Sequence, residues 1–364
     1  MNTATRKLKV VHIIPTLALG GAERILTELV RYGNRDAFDF AVITIVDGGP
    51  LEADIRELGV PYYPLKKTSE LGLVMLVELI ALLNRLEPDI VHTHLFGGHL
   101  WGEIASKLNR VPHLVFSEQN TDVDIGELKH RIKQVLSYGS SAVVAASDGI
   151  KKFLVEEENF PTDKITVIRN AVETGRFAQI PPAPFGEVMQ LLAIGRLEPQ
   201  KGHDILLNAL STLRDVPWEL TLVGEGSAKD SLVDLAIINH MHDRVHFVGT
   251  HMDVAPYLAA SDVVVMSSRW EGIGLVIMEA MAAGRTVIAS NVGGIPELID
   301  DGVTGMLVPV EDVDALQVAI RRVWQNQAAA RELGAAARVK AQKDFDIRAM
   351  VADYERVYAH LAHQ

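Results

Sequence analysis

Short runs of β-branched and aliphatic residues, each closed by turn-forming residues, recur from end to end of the chain. In the first half they occupy 9–14, 40–46, 90–94, 114–117, 142–146 and 165–168; in the second, 191–194, 219–223, 245–248, 263–266, 286–289 and 306–308. Most are continuously apolar instead of alternating, the pattern of parallel strands covered on both faces. Between them the period changes to helical, for example over 22–32, 73–85, 205–213 and 315–325. Repeated strand–helix units with buried strands predict an α/β fold of doubly wound parallel sheets.

The pattern breaks over 171–187, where Pro181, Pro182 and Pro184 lie close together without apolar periodicity and predict a linker. Two Rossmann-like domains follow, 1–172 and 173–345, with a last helix at 346–364 packing back on the first. A chain of 364 residues suits that division. Ligands of such sheets bind beyond the carboxyl ends of the strands, so two sheets facing each other predict a cleft lined by loops.

Composition narrows the chemistry. Cysteine is absent, which removes thiol nucleophiles, disulfides and cysteine-ligated zinc. The net charge of −12 argues against nucleic acid as a partner. The acidic excess is uneven, three in residues 1–172 and nine in residues 173–364. The longest apolar stretch, 71–83, contains Glu78 and falls short of the roughly 20 residues a membrane-spanning helix needs. Arg6, Lys7 and Lys9 ahead of an apolar run resemble a secretory signal, but His12 and Pro15 interrupt the run, and Gly20-Gly21 leads straight into a helix. We read a first strand and its loop, and expect a cytoplasmic protein.

Three segments at strand ends carry the candidate chemistry. In 269–284 a glycine-containing loop follows a strand, and a helix begins near Leu275 in which every residue to Ala283 is apolar except Glu279. A helix apolar all round is buried all round, so Glu279 needs hydrogen-bond donors, from a ligand's hydroxyls or from a neighbouring Arg or helix end. The amino end at Gly274, Leu275 and Val276 offers N–H groups to a phosphate, with Glu271 at the mouth of the same place. In 194–202, Arg196 and Lys201 fall on a strand-to-helix loop, where they suit a diphosphate or are simply solvated cations. In 17–24, Gly20-Gly21 makes a phosphate-type loop or an ordinary tight turn; neither G-x-G-x-x-G nor a Walker A sequence occurs.

Other features are set aside. His92 and His94 share one face of a strand end with His99 nearby, but no further ligand has convincing spacing, so no metal site is expected and His92 or His94 is placed lining the cleft. Asp122/Asp124, Asp312/Asp314 and Asp344/Asp346 read as Asp-rich turns. The basic segment 128–133 reads as a solvated helical face, or a contact for an anionic acceptor or membrane surface.

Together these segments resemble a retaining glycosyltransferase of family 4 with the GT-B fold. The resemblance rests on Glu271 and Glu279 with seven residues between them, and on Gly-Gly-Ala-Glu (20–23), Pro-Asp-Ile-Val-His (88–92), Gly-Arg…Lys-Gly (195–202), Leu-Val-Gly-Glu-Gly (222–226), Phe-Val-Gly (247–249) and Gly-Gly-Ile-Pro-Glu (293–297) in the family's order. It implies that the second domain holds a nucleoside diphosphate sugar, UDP-sugar favoured and GDP-sugar the alternative, with no other cofactor and no metal. Arg196 and Lys201 would bind the diphosphate, Glu271 the sugar hydroxyls and Glu279 the ribose. Backbone groups of Gly274, Leu275 and Val276 would touch sugar and phosphate, those near His251 the base, and Gly20 and Gly21 would meet the phosphates. Many relatives carry a His where this chain has Gln119, an amide that cannot titrate near neutrality. The implied acceptor is a glycan or a polyprenyl-diphosphate-linked glycan, with peripheral contact at the inner membrane surface. The competing readings are a two-lobed binding protein without catalysis and a sugar-nucleotide epimerase of the same fold.

Overall fold

The structure is a computed structural model that describes residues 6–46, 48–67, 72–119 and 126–364. The chain divides into two compact units, Met1–Asn170 with Ile347–Gln364, and Ala171–Asp346.

Unit 1 is built on β1 (Leu8–Ile14), β2 (Phe38–Thr44), β3 (Tyr62–Pro64), β4 (Ile90–His94), β5 (His113–Glu118), β6 (Ala142–Ala145) and β7 (Ile165–Val167). They form one sheet in the order β3-β2-β1-β4-β5-β6-β7, and every pair is parallel. Unit 2 contains β8 (Met189–Ile194), β9 (Trp218–Val223), β10 (Val245–Gly249), β11 (Val263–Met266), β12 (Thr286–Ser290) and β13 (Met306–Val308). Their order is β10-β9-β8-β11-β12-β13, also all parallel. Each sheet is therefore doubly wound, and the strand order reverses between β1 and β4 in one and between β8 and β11 in the other. Loops leaving neighbouring strands diverge at such a reversal, which is where ligands of these sheets sit. The central strands are covered along their length, as their unbroken apolar runs require: β4 and β12 are buried at every residue.

One strand, β3, escapes the sequence pattern. Its three residues, Tyr-Tyr-Pro, lie at the sheet edge, where proline is tolerated. The stretch 171–187 is also unlike a loose linker. Phe177, Ile180, Ala183 and Phe185 are buried in unit 2, and arginines clasp its carbonyls: Arg285 Nη2 donates to Pro181 O at 2.5 Å and Arg338 Nη2 to Ile180 O at 2.8 Å.

The last helix, Ile347–Ala362, belongs to unit 1. Ile347, Met350, Val351, Tyr354, Tyr358 and Leu361 repeat at helical spacing and are its buried stripe. It packs beside the helix Gly21–Tyr32, with Glu355 accepting from the Asn34 amide at 2.6 Å.

Candidate active site

The reversal point of unit 2 gathers the charged residues. Glycines allow the close approach: Gly202 adopts φ +61°, and a Cβ there would lie 2.1 Å from Ser267 O, so the loop after β8 rests directly on the end of β11. Behind it, Ser267 Oγ donates to Gly202 O at 2.7 Å. From the β8 loop Lys201 reaches Glu271 of the β11 loop, and the two side chains form an ion pair, with Ser268 Oγ donating to the same carboxylate at 3.3 Å. Both are mostly but not fully covered, at 15% and 11% side-chain exposure, which leaves the pair within reach of a ligand. Arg196 is exposed on the same loop and donates to Gln200 Oε1 at 2.9 Å. Gln200 in turn donates to Trp270 O at 3.1 Å.

The helix Leu275–Ala282 starts immediately after this loop, behind Gly274 in the left-handed region at φ +69°. The segment before it is backed by the turn at Gly293 and Gly294, whose amide donates to Gly272 O at 2.8 Å; a Cβ on Gly293 would meet Glu271 O at 1.9 Å. Backbone N–H groups of a helix's first turn lack intrahelical partners, so this end is suited to an anion. Glu279, one turn on, is fully buried. His251 is exposed in the loop after β10; its ring donates from Nε2 to Val248 O at 3.0 Å and packs against Tyr257 at 4.9 Å between centroids. The bridge between Gly224 and Gly249, with the amide of Gly224 on Gly249 O at 2.8 Å, ties that loop to the one after β9.

In unit 1, Gly20 caps the helix Gly21–Tyr32 in an extended conformation, and its carbonyl accepts from the Arg24 amide at 3.1 Å. Gln119 is buried at the end of β5, its Oε1 accepting from Asn170 Nδ2 at 2.7 Å.

Two expectations are corrected here. His92 and His94 line no cleft: both are fully buried. They are joined by His12, which the register of β1 against β4 sets opposite His92, and one ligating atom from each of the three lies within 4.8 Å of the others. That third imidazole is invisible to spacing along the chain. His12 Nδ1 and His94 Nε2 share a hydrogen bond of 3.1 Å, while His92 Nδ1 meets Tyr358 Oη at 2.6 Å and Nε2 meets Ser117 Oγ at 2.7 Å. Both nitrogens of His92 are thus committed to hydroxyls, and it meets His12 and His94 only through ring contacts at 5.1 and 4.1 Å between centroids. His12 Nε2 and His94 Nδ1 find no hydrogen-bond partner among the described residues. Burial pushes the pKa of His12 down to about 3 and those of His92 and His94 well below the usual range, so all three are neutral.

The basic helix Glu127–Ser137 is not a wholly solvated face either. Lys133 is fully buried, 2.5 Å from Glu118 Oε2 and 3.3 Å from Glu158 Oε1, and His130 Nδ1 meets Glu158 at 2.9 Å. Asp122 and Asp124 lie outside the described residues. Asp312 caps the helix Val313–Gln325 through the Ala315 amide at 2.8 Å, Asp344 ends the helix Gln327–Asp344, and Asp346 accepts from Thr174 Oγ1 at 2.9 Å.

Two doubly wound parallel sheets, with a cation–carboxylate pair and a glycine-preceded helix at the reversal of the second, are the architecture of the GT-B glycosyltransferases. Anabaena HepE, solved in complex with UDP-glucose, is similar in fold at a TM-score of 0.88, with 22% identity, 97% of this chain and 100% of that one covered. The chain belongs to glycosyltransferase family 4: residues 19–176 match Glycosyltransferase Family 4 and residues 189–326 match Glycosyl transferases group 1. Glycogen synthase of Mycobacterium tuberculosis is 33% identical over 233 residues, which are 63% of this chain and 56% of that relative, so the match spans little more than half its length. The UDP-Gal:alpha-D-GlcNAc-diphosphoundecaprenol alpha-1,3-galactosyltransferase of Escherichia coli is 26% identical over 353 residues, 90% of each chain.

Proposed function

We propose that the protein transfers a hexose from a UDP-sugar to a glycan or polyprenyl-diphosphate-linked acceptor, with retention at the anomeric carbon, in the assembly of a bacterial surface polysaccharide or glycoconjugate. The observation that carries this reading is the Lys201–Glu271 pair beside the amino end of the helix Leu275–Ala282. As the bond from C1 to the diphosphate oxygen breaks, negative charge grows on the leaving UDP. Lys201 exchanges Glu271 for that phosphate, Arg196 adds a second cation, and the N–H groups of Leu275 and Val276 behind Gly274 complete the cradle. Fixed charges aimed at developing charge lower the barrier without reorganisation. The released Glu271 carboxylate then accepts from sugar hydroxyls, Glu279 from the ribose, and backbone near His251 holds the base. Gly20 and Gly21 at the amino end of their helix give unit 1 its own anion seat. Retention follows when the acceptor hydroxyl attacks an oxocarbenium-like centre on the face the leaving group vacates and gives its proton to the departing phosphate oxygen.

The reading is supported by the HepE complex with UDP-glucose and by the undecaprenol-linked acceptor in the name of the Escherichia coli relative. No metal takes part in it, because cations of the chain carry the diphosphate. We place the enzyme in the cytoplasm, at the inner face of the membrane. No helix among the described residues is long and apolar enough to cross a membrane. The helix Leu73–Leu86 instead exposes Leu73, Val74 and Val77 in its first turns, and the basic helix exposes Leu128 and Val135 beside Lys129 and Arg131, which suits shallow contact with an anionic surface.

The test is turnover by purified protein with UDP- and GDP-sugars and a polyprenyl-diphosphate glycan, with the product's anomeric configuration read by NMR. UDP release that depends on acceptor, survives chelation and disappears in Lys201→Ala and Glu279→Ala confirms the reading. Full turnover in those variants rejects the site. A changed sugar nucleotide released without acceptor identifies an epimerase, and binding without turnover a binding protein.

A further inference from the structure

A third cation stands beside the site and is used quite differently. Arg269, two residues before Glu271, has 23% of its side chain exposed. Its Nη1 and Nη2 make a two-pronged contact with Asp204, at 2.9 Å to Oδ1 and 2.7 Å to Oδ2. Nη1 also donates to Pro199 O at 2.7 Å, and Nε to Glu311 Oε1 at 2.6 Å. Four of the five donors of the guanidinium are thus spent on protein oxygens. Its charge is more than matched by the two carboxylates, which hold its pKa above the ordinary arginine value, the Asp204 hydrogen bonds being the main cause. It has little left to offer a phosphate.

What it does offer is mechanical. Pro199 precedes Lys201 on the β8 loop and Asp204 stands in the first turn of the helix His203–Ser211 that the loop leads into, while Arg269 itself flanks Glu271 on the β11 loop. The backbone continues the seam, with the amide of Arg269 on Gln200 O at 2.8 Å. Bidentate guanidinium–carboxylate contact fixes direction as well as distance. An ammonium in its place reaches one of these acceptors at a time.

We propose that Arg269 is a positioning residue for the donor site: its contacts to Asp204, Pro199 and Glu311 set the loop of Lys201 against the loop of Glu271. The proposal rests on the donor-site reading given above. Misplacement by about 1 Å of a group acting on a transition state can cost on the order of 100-fold in rate. Arg269→Ala therefore lowers kcat roughly 10- to 100-fold while KM for the donor changes by less than about threefold, since the ribose and helix contacts survive. Arg269→Lys recovers only a small part of the loss. Asp204→Asn added to Arg269→Ala costs nothing more, because the two residues act as one contact. Arg321 makes the same two-pronged pair with Asp215, which precedes β9 at the amino ends of the strands, away from the loops of Lys201 and Glu271, and Arg321→Ala leaves kcat unchanged. Should Arg269→Ala not fold, Arg269→Lys and Asp204→Asn carry the same measurement.

A readout without substrate separates the two claims. With lysines labelled as 13C-dimethyl-lysine, the Lys201 resonance, assigned by its absence in Lys201→Arg, moves toward that of an unpaired lysine in Arg269→Lys and stays in place in Arg321→Ala. An unmoved Lys201 resonance, or an undiminished kcat in folded Arg269→Lys, overturns the proposal. If the wild type turns over no sugar nucleotide, the donor reading falls, and the resonance still decides whether Arg269 holds the pair.

Discussion

The carboxyl ends of the two sheets present the same topology and opposite electrostatics. At the reversal of unit 1, His12, His92 and His94 with Ser117, Tyr354 and Tyr358 are fully buried and in contact with one another, and Lys133 is spent on Glu118 and Glu158. At the reversal of unit 2, Lys201 and Glu271 meet only partly covered, with Arg196 exposed beside them. The difference lies in what rests on the sheet. Unit 1 receives a whole returning helix, whose Tyr358 hydroxyl meets His92 and whose Tyr354 hydroxyl meets Ser117, while glycines in unit 2 let two loops approach and leave their ionic groups accessible. Buried polar groups that satisfy each other specify structure. Partly exposed ones are available for chemistry.

The sharpest way to test that contrast is to remove one charge from each side. Lys133→Ala leaves two carboxylates without their buried cation and is expected to cost about 3–5 kcal/mol of stability, read by chemical denaturation, with UDP affinity intact whenever the protein is folded. Lys201→Ala is expected to lower kcat about 100- to 1,000-fold, the scale of losing one fixed stabiliser of developing charge, while thermal unfolding stays within about 1 °C. If Lys133→Ala were as stable as wild type, or Lys201→Ala strongly destabilised, the division of labour would be wrong.

Acid separates the units next. His12 and His99 have folded pKa values near 3, and His92 and His94 values well below the ordinary 6.5, all chiefly through burial. Groups with depressed imidazole pKa values take up protons on unfolding, so the stability they confer is complete above pH 6.5 and declines as pH falls from 6.5 toward 3. Each such imidazole removes about 2 kcal/mol between pH 7 and pH 5. Unit 2 has His203 with a pKa lowered to about 4, again by burial. Calorimetry between pH 7 and pH 5 is expected to show an early transition belonging to unit 1; a single transition of unchanged midpoint would contradict it. The smallest effect is that of Arg196→Ala, about tenfold in KM for the donor, because an exposed cation on a loop is well screened.

Much of this architecture is legible in the sequence because buried parallel strands announce themselves as continuous apolar runs, and the all-apolar helix containing Glu279 announces its burial. The edge strand Tyr62–Pro64 is too short to show a period. The meeting of Lys201 with Glu271 depends on β8 and β11 being neighbours, a fact of strand order that no local window contains. Register hides His12 in the same way. Lys133 misleads because a helical lysine usually faces water; only the carboxylates of Glu118 and Glu158, brought in from other elements, explain its burial. The tyrosines of the last helix read as an ordinary amphipathic stripe, and nothing in their spacing reports that each carries a hydroxyl to a buried partner.

The return of the last helix also has a consequence for biosynthesis. Unit 2 is one uninterrupted segment, 171–346, whereas unit 1 lacks its covering helix until residues 347–364 have been made. On the ribosome the amino-terminal half waits with its histidine trio unroofed while the half translated after it is already complete. A premature stop or a bulky fusion at the carboxyl terminus therefore injures the half of the protein that was made first.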